Sequence, residues 1–78
     1  MDMRDLEAEV QRQVGYGCIV TGGIAPRGPY LNFNAGRRLV KVWLPRSGYD
    51  PKKIADLAKT SLSNEDEPAF REINYPSE

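Results

Sequence analysis

The spacing of apolar residues changes twice along this 78-residue chain, and the order of these changes limits the folds that it can adopt. Over residues 2–14 apolar side chains recur every three or four positions, as on one face of a helix. Over residues 30–34 and 38–44 they alternate with polar side chains, as on a half-buried strand. Helical spacing returns over residues 50–62. The helical side chains predicted to face a sheet are Met3, Leu6, Val10, Val14, Ile54, Leu57, Ala58, Ser61 and Leu62.

The boundaries of these elements are marked by glycine, proline and capping residues. Gly15 ends the first helix, and Asp50-Pro51 starts the last one, because Asp caps free amides and Pro fits the first helical position. Residues 16–21 are rich in β-branched and aromatic side chains and predict a first strand. The glycines and prolines of residues 22–29 predict a loop. Residues 34–37 predict a tight turn, so the next two strands should form a hairpin.

We therefore expect one small α+β domain over residues 1–62, in the order helix, three antiparallel strands, helix. Both helices should cover the same face of the sheet. Residues 63–78 are predicted to form an acidic C-terminal extension, because Glu65-Asp66-Glu67-Pro68 interrupts any helix. Within it, residues 70–75 fit either a short edge strand or an ordered tail. A chain of this size buries only about 60% of its unfolded surface, so the core should be thin.

Residue types that carry catalysis or bind metals are scarce. Histidine is absent, which removes the usual general base and the commonest metal ligand. Cys18 is the single cysteine, lies in an apolar run, and is predicted to be a small buried residue instead of a reactive thiol. The carboxylates of the first helix do not converge with a second acidic cluster and are expected to face solvent; they are Asp5, Glu7 and Glu9. We expect no enzyme, no cofactor and no metal site.

The apolar content also bears on location. No apolar run approaches the roughly 20 residues that cross a bilayer as a helix. Met1 is followed by a charged amphipathic stretch, which is unlike the apolar region of a signal peptide. We expect a cytoplasmic protein that does not insert into a membrane.

Charges cancel over the whole chain but are sorted along it. Residues 24–62 carry eight basic side chains against two acidic ones, whereas residues 1–23 and 63–78 are both acidic in balance. Such sorting concerns partners more than fold, and it predicts a basic working surface between acidic ends.

The alternating strands predict which side chains form that surface. If Leu31, Phe33, Val40, Val42 and Leu44 face the helices, the open side of the sheet holds Tyr30, Asn32, Asn34, Lys41 and Trp43. The predicted partner-binding residues are Tyr30, Arg37, Arg38, Lys41, Trp43 and Arg46. An aromatic and basic face can bind a protein or stack bases and neutralise phosphates. In a purely structural interpretation, the two rings only cover each other across the hairpin.

Residues 2–62 resemble the double-stranded RNA-binding domain in two short motifs. Gly28-Pro29 is similar to the Gly-Pro between that family's first two strands, and Lys52-Lys53-Ile54-Ala55 is similar to the start of its second helix. The resemblance implies that the two lysines contact phosphates. Small toxins of the HicA type share the same order of elements. The histidine that follows the family's Gly-Pro is replaced here by Tyr30-Leu31, and the catalytic histidine of HicA toxins is missing.

Two functions are predicted from these observations. The first is a small non-catalytic protein that occupies a surface of a larger partner, a protein or nucleoprotein complex. In size and lack of catalytic residues the chain is similar to phage and mobile-element inhibitors of host defence, the anti-CRISPR class among them. The alternative is a domain that binds double-stranded RNA or DNA through Arg27, Gly28, Lys52 and Lys53. A homodimer formed through strand edges or the open sheet face is compatible with both.

Overall fold

Two helices pack on one face of a sheet in the computed structural model, which describes residues 2–46, 48–64 and 68–76. In chain order the described elements are α1 (Met3–Val14), β1 (Ile19–Ala25), β2 (Gly28–Ala35), β3 (Arg38–Trp43), α2 (Pro51–Ser63) and β4 (Phe70–Asn74). The strands form one sheet in the order β1-β2-β3-β4. The first three are antiparallel to their neighbours, and β4 runs parallel to β3. The predicted α+β class and the helix, strands, helix order are confirmed.

Both helices pack on one face of the sheet and form the core there. Leu6 and Val10 of α1 are fully buried, as are Ile54, Ala55 and Ala58 of α2. The sheet and its flanks contribute Cys18, Val20, Leu31, Phe33, Val40, Val42 and Leu44. Burial of each larger side chain stabilises the fold by roughly 1.5–3 kcal/mol. The alternation predicted for β2 and β3 is therefore confirmed, and it fixes which side of the sheet stays open.

The ends of the helices follow the sequence signals. The side chain of Asp50 accepts a hydrogen bond from the backbone N–H of Lys52 at 3.0 Å, and Pro51 occupies the first turn of α2. Gly15 follows α1 with a φ of +81°, a conformation that favours glycine. These local signals are sufficient because each cap satisfies backbone groups of its own helix end.

The first strand lies further along the chain than predicted. Residues 16–21 were expected as the strand and 22–29 as a loop, but β1 runs from Ile19 to Ala25, and Pro26-Arg27 turns directly into β2. Gly22 and Gly23 lie within the strand, at positions where neighbouring side chains occupy the space that a Cβ would need. A Cβ on Gly22 would lie 2.6 Å from Met3 Sδ, and one on Gly23 would lie 2.5 Å from Tyr30 Oη. Here glycine permits close approach within a strand.

Pro29 also belongs to a strand, contrary to the predicted loop. Its carbonyl accepts a hydrogen bond from the N–H of Leu44, which lies just beyond the end of β3. A residue's N–H and C=O point to the same side of an antiparallel strand, so the N–H that proline lacks would face this strand end. Gly28, the residue before it, begins β2 directly after the turn and has a φ of +146°, a conformation that glycine tolerates.

Polar side chains of α1 cover the free edge of β1. The amide of Gln11 accepts a hydrogen bond from Val20 N–H at 2.9 Å and donates to the carbonyls of Gly15 and Cys18 at 3.0 and 2.6 Å. The carboxylate of Glu7 accepts from Gly22 N–H. Glu7 therefore does not merely face solvent, as expected for the first helix. These contacts satisfy edge groups that would otherwise be available for pairing with another chain.

The C-terminal segment adds β4 to the sheet, so the edge-strand alternative for residues 70–75 is confirmed over Phe70–Asn74. Leu39 N–H donates to the carbonyl of Ala69 at 2.7 Å, and Tyr75 N–H donates to the carbonyl of Trp43 at 2.9 Å. The acidic residues 65–67 lie outside the described residues. Within the described ranges, no helix is long and apolar enough to cross a membrane.

Candidate functional site

The sheet face opposite the helices, called here the open face, presents side chains from all four strands. Strand register aligns them in three rows across the sheet: Gly23, Tyr30, Trp43 and Asn74; Thr21, Asn32, Lys41 and Glu72; Ile19, Asn34, Leu39 and Phe70. The five side chains that the sequence assigns to the open side all lie in these rows. Register, which depends on the turns, brings residues far apart in the chain into one surface.

Arg27, Tyr30, Lys41 and Trp43 form what we call the cation–aromatic cluster. The rings of Tyr30 and Trp43 meet edge to face, with centroids 5.4 Å apart and planes at 66°. Lys41 Nζ lies 4.5 Å from the centroid of Tyr30 and 5.2 Å from that of Trp43. Arg27 Cζ lies 4.6 Å from the centroid of Trp43. Each such contact at an exposed site contributes about 0.5–1 kcal/mol, enough to orient a cation.

Strand β4 holds this cluster from the side. Trp43 Nε1 donates to a carboxylate oxygen of Glu72 at 3.0 Å, and Arg27 donates to Oδ1 of Asn74. On the other side, the ring of Tyr30 packs over Gly23, where no side chain interferes. The cluster is thus built by all four strands, although it can be recognised only in part from the hairpin β2-β3.

The far row of the open face holds three apolar side chains beside Asn34 and is partly exposed. Ile19 is 65% exposed and Phe70 is 52% exposed, and Leu39 lies between them in the register with Asn34. Sequence reasoning did not place Ile19 or Phe70 in a site, because their neighbours in the row belong to other strands. The open face therefore combines a cationic and aromatic end with an apolar end.

Three predicted partner-binding residues lie away from the cluster. Arg38 points to the helix side, where it donates to the carbonyls of Ser61 and Asn64 at 3.4 and 2.8 Å. The structure thus places the Arg38 side chain at the C-terminal end of α2 and not on the open face, and its predicted role in partner binding stays a prediction. Arg37 is exposed in the turn before β3, and Arg46 is exposed beyond the strand's other end. The strand separates them by about 20 Å.

The residues of the nucleic-acid alternative gather at one end of the molecule, called here the basic end. Arg27 and Gly28 lie where β1 turns into β2, and Lys52 and Lys53 lie in the first turn of α2. Lys53 Nζ is 5.4 Å from the ring centroid of Tyr75. Arg27 and Tyr75 in turn line a shared cleft of about 210 Å³ with Trp43, Leu44, Pro45 and Asn74. The basic end adjoins the cation–aromatic cluster through Arg27.

Two side chains away from the open face, those of Glu9 and Cys18, have displaced pKa values. Hydrogen bonds from Gln13 and Arg12, with the charge of Arg12, lower the pKa of Glu9 on the exposed side of α1. Burial raises the pKa of the Cys18 thiol, which therefore stays protonated near neutral pH. Among the described residues, no group of three or more His, Cys, Asp or Glu side chains is arranged to hold a metal ion.

Comparison with known proteins finds no family model, no curated protein and no solved structure that matches this chain. The resemblance of Gly28-Pro29 and Lys52-Lys53 to the double-stranded RNA-binding domain thus stays a prediction.

Proposed function

We propose that this protein is a small, non-catalytic binding protein whose open face binds an acidic surface of a larger macromolecular partner. The observation that carries the proposal is the cation–aromatic cluster, in which Arg27 and Lys41 are held against the half-buried rings of Trp43 and Tyr30. A cation that is already oriented loses less side-chain freedom when it meets a carboxylate. Trp, Tyr and Arg are also the residues that most often dominate binding energy in protein interfaces.

The occupied ring faces favour a protein partner over stacked bases. A platform for single-stranded nucleic acid needs exposed aromatic faces on which bases can stack. Here Arg27 lies over the Trp43 ring and Lys41 lies over the Tyr30 ring, so a base would have to displace a cation. A carboxylate can instead approach the outer side of both cations.

The size of the open face indicates a modest interface. Four strands spaced by about 4.8 Å, each about 20 Å long, present roughly 400 Å². A standard interface buries about 800 Å² on each partner. The partner must therefore also contact neighbouring surface, and the basic end is the adjacent part that matches an acidic partner in charge. A narrower form of the proposal makes the partner a host nucleoprotein defence complex, inhibited by a protein of the anti-CRISPR type.

A second candidate function is the binding of duplex RNA or DNA by the basic end. It is favoured by the contact of Lys53 with the ring of Tyr75 and by Arg27, which lines the nearby cleft together with Tyr75. The N-terminus of α2 adds a positive end of a helix dipole to the same region. Binding of this kind weakens steeply with salt, since each neutralised phosphate releases counterions.

Affinity capture with charge-reversed variants tests the first proposal. The tagged protein, Lys41→Glu and Lys59→Glu are each incubated with lysate of the cells that carry the gene, and retained proteins are quantified by mass spectrometry. Lys59 is an exposed lysine on the outer side of α2, so its reversal changes net charge equally without touching the open face. We expect one partner retained by the wild type and by Lys59→Glu but lost with Lys41→Glu. Equal retention by all three proteins would contradict the proposal.

Fluorescence anisotropy with labelled duplex RNA and duplex DNA tests the second candidate. The series compares the wild type with a Lys52→Glu, Lys53→Glu double variant at low and moderate salt. If the open face is the working surface, binding to free duplex is weak at moderate salt. Tight, salt-sensitive binding that the double variant loses would transfer the function to the basic end.

A further inference from the structure

The two edge strands of the sheet, β1 and β4, differ in whether side chains cover their outward backbone groups. Along β1, the outward N–H groups of Val20 and Gly22 are bonded by Gln11 and Glu7 of α1. Along β4, no comparable cover is present among the described residues. Proteins commonly protect sheet edges because unpaired backbone groups accept a strand from another chain. An edge left open beside an edge that is covered therefore points to a partner strand.

The hydrogen bonds between β3 and β4 show which backbone groups are available. The carbonyl of Ala69 and the N–H of Tyr75 bond to β3, and Leu39, Lys41 and Trp43 register with Phe70, Glu72 and Asn74. In a parallel pair, the N–H and C=O groups that point toward the neighbour alternate with groups that point away. The outward groups of β4 are therefore those of Phe70, Glu72 and Asn74.

We propose that β4 pairs antiparallel with β4 of a second copy of this chain, about a twofold axis beside Ile73. In this register Glu72 lies opposite Asn74 of the second copy, and each such pair exchanges two backbone hydrogen bonds. The two four-stranded sheets join into one continuous sheet. This pairing does not depend on what the open face binds.

Charge selects this register over its neighbour. An axis through Glu72 also pairs outward backbone groups, but it places the two Glu72 carboxylates directly opposite each other, which is destabilising. The axis beside Ile73 instead brings Glu72 next to the Asn74 of the other copy, whose amide oxygen holds the cation Arg27. A carboxylate near a guanidinium is the complementary arrangement.

Apolar contact on the helix face favours the same register. Ile73 is partly buried against the core and forms a wall of an open groove of about 320 Å³ between α2 and β4, together with Leu57. In the proposed dimer the two Ile73 side chains form a non-hydrogen-bonded pair, the kind with the closest side chains. Each would then cover part of the other copy's groove.

Proline substitutions at matched edge positions test the proposal. Glu72→Pro removes a backbone N–H of β4 that points outward and that the monomer does not use. Ile24→Pro is the matched control: it removes an outward N–H from β1, at the opposite edge of the sheet, two residues after the outward-facing Gly22. Sedimentation equilibrium over a concentration series measures mass, with circular dichroism as the test of folding. We expect the wild type and Ile24→Pro to rise from 8.8 kDa toward about twice that mass as concentration increases, while Glu72→Pro stays at 8.8 kDa.

A second substitution covers the case in which Glu72→Pro does not fold. Glu72→Lys keeps the backbone N–H but places a cation opposite Asn74 and near Arg27 of the other copy, so the dimer dissociation constant should rise at least tenfold. Glu9→Lys, an equal reversal on α1, should leave it unchanged. A wild type that stays monomeric at every concentration, or a Glu72→Lys variant with an unchanged dissociation constant, overturns the proposal. Neither result affects capture of a partner by the open face.

Discussion

Single residues decide whether the cation–aromatic cluster can form. Gly23 is the clearest example, because the Tyr30 ring occupies the space that a side chain there would need. The same residue was taken as part of a loop from its sequence context, since a Gly-Gly pair is typical of turns. Only the cross-strand neighbour explains why glycine stands in the strand.

Gly23→Ala should displace the Tyr30 ring from Trp43 and destabilise the fold by ~1–3 kcal/mol, the usual range for overpacking. Because Trp43 is the only tryptophan, its fluorescence reports this change directly. The measurement is the emission maximum and the urea midpoint of the variant. An unchanged spectrum and midpoint would show that the Tyr30 position does not depend on Gly23.

Gln11 illustrates a role that composition and periodicity cannot reveal. Its amide satisfies the carbonyls of Gly15 and Cys18, which precede β1, and the N–H of Val20 in β1. Gln13 on the same helix bonds only to the side chain of Glu9 among the described contacts. Gln11→Ala should therefore lower the free energy of unfolding by ~1–3 kcal/mol, because partly buried backbone groups lose their partners. Gln13→Ala is the matched control and should change it by less than about 0.5 kcal/mol. Urea denaturation measures both, and equal effects would contradict the assignment.

At the scale of elements, the sequence is most informative where structure is local. Both helices and the β2-β3 hairpin follow from residues within one segment, through periodicity, caps and a turn. The position of β1 and the parallel pairing of β4 do not, because they depend on contacts with α1 and β3 that are distant in the chain. The open face was accordingly predicted from β2 and β3, and its contributions from Arg27, Glu72 and Phe70 were not.

Arg38 was predicted to bind a partner because of its charge, but its side chain bonds to the end of a helix. Its guanidinium bonds to carbonyls at the C-terminal end of α2. Arg38→Ala should cost about 1 kcal/mol of stability, since helix-end carbonyls lose a charged donor at a partly exposed site. Arg37→Ala, in the exposed turn, should cost almost nothing. Thermal denaturation of both variants checks this, and loss of partner capture by folded Arg38→Ala would restore Arg38 to the binding surface.

At the scale of the whole molecule, the architecture places the hydrophobic core on one side of the sheet and the cation–aromatic cluster on the other. The helices and the core occupy one side, and the other is left to Arg27, Lys41 and two aromatic rings. Charge sorting along the chain predicts a basic surface, but it does not say that Arg38 and Arg27 would lie on different sides. That division follows from strand register and is the basis of the proposed function.

The most direct test of the open face as the binding surface is site-specific photo-crosslinking in the cells that carry the gene. A benzophenone amino acid is placed at Asn34, which is exposed on the open face, or at Lys59, which is exposed on the helix side. If the open face binds the partner, a partner protein is crosslinked from position 34 but not from position 59, and the crosslink disappears when Lys41→Glu is added. A partner crosslinked from position 59 and not from 34 would contradict it.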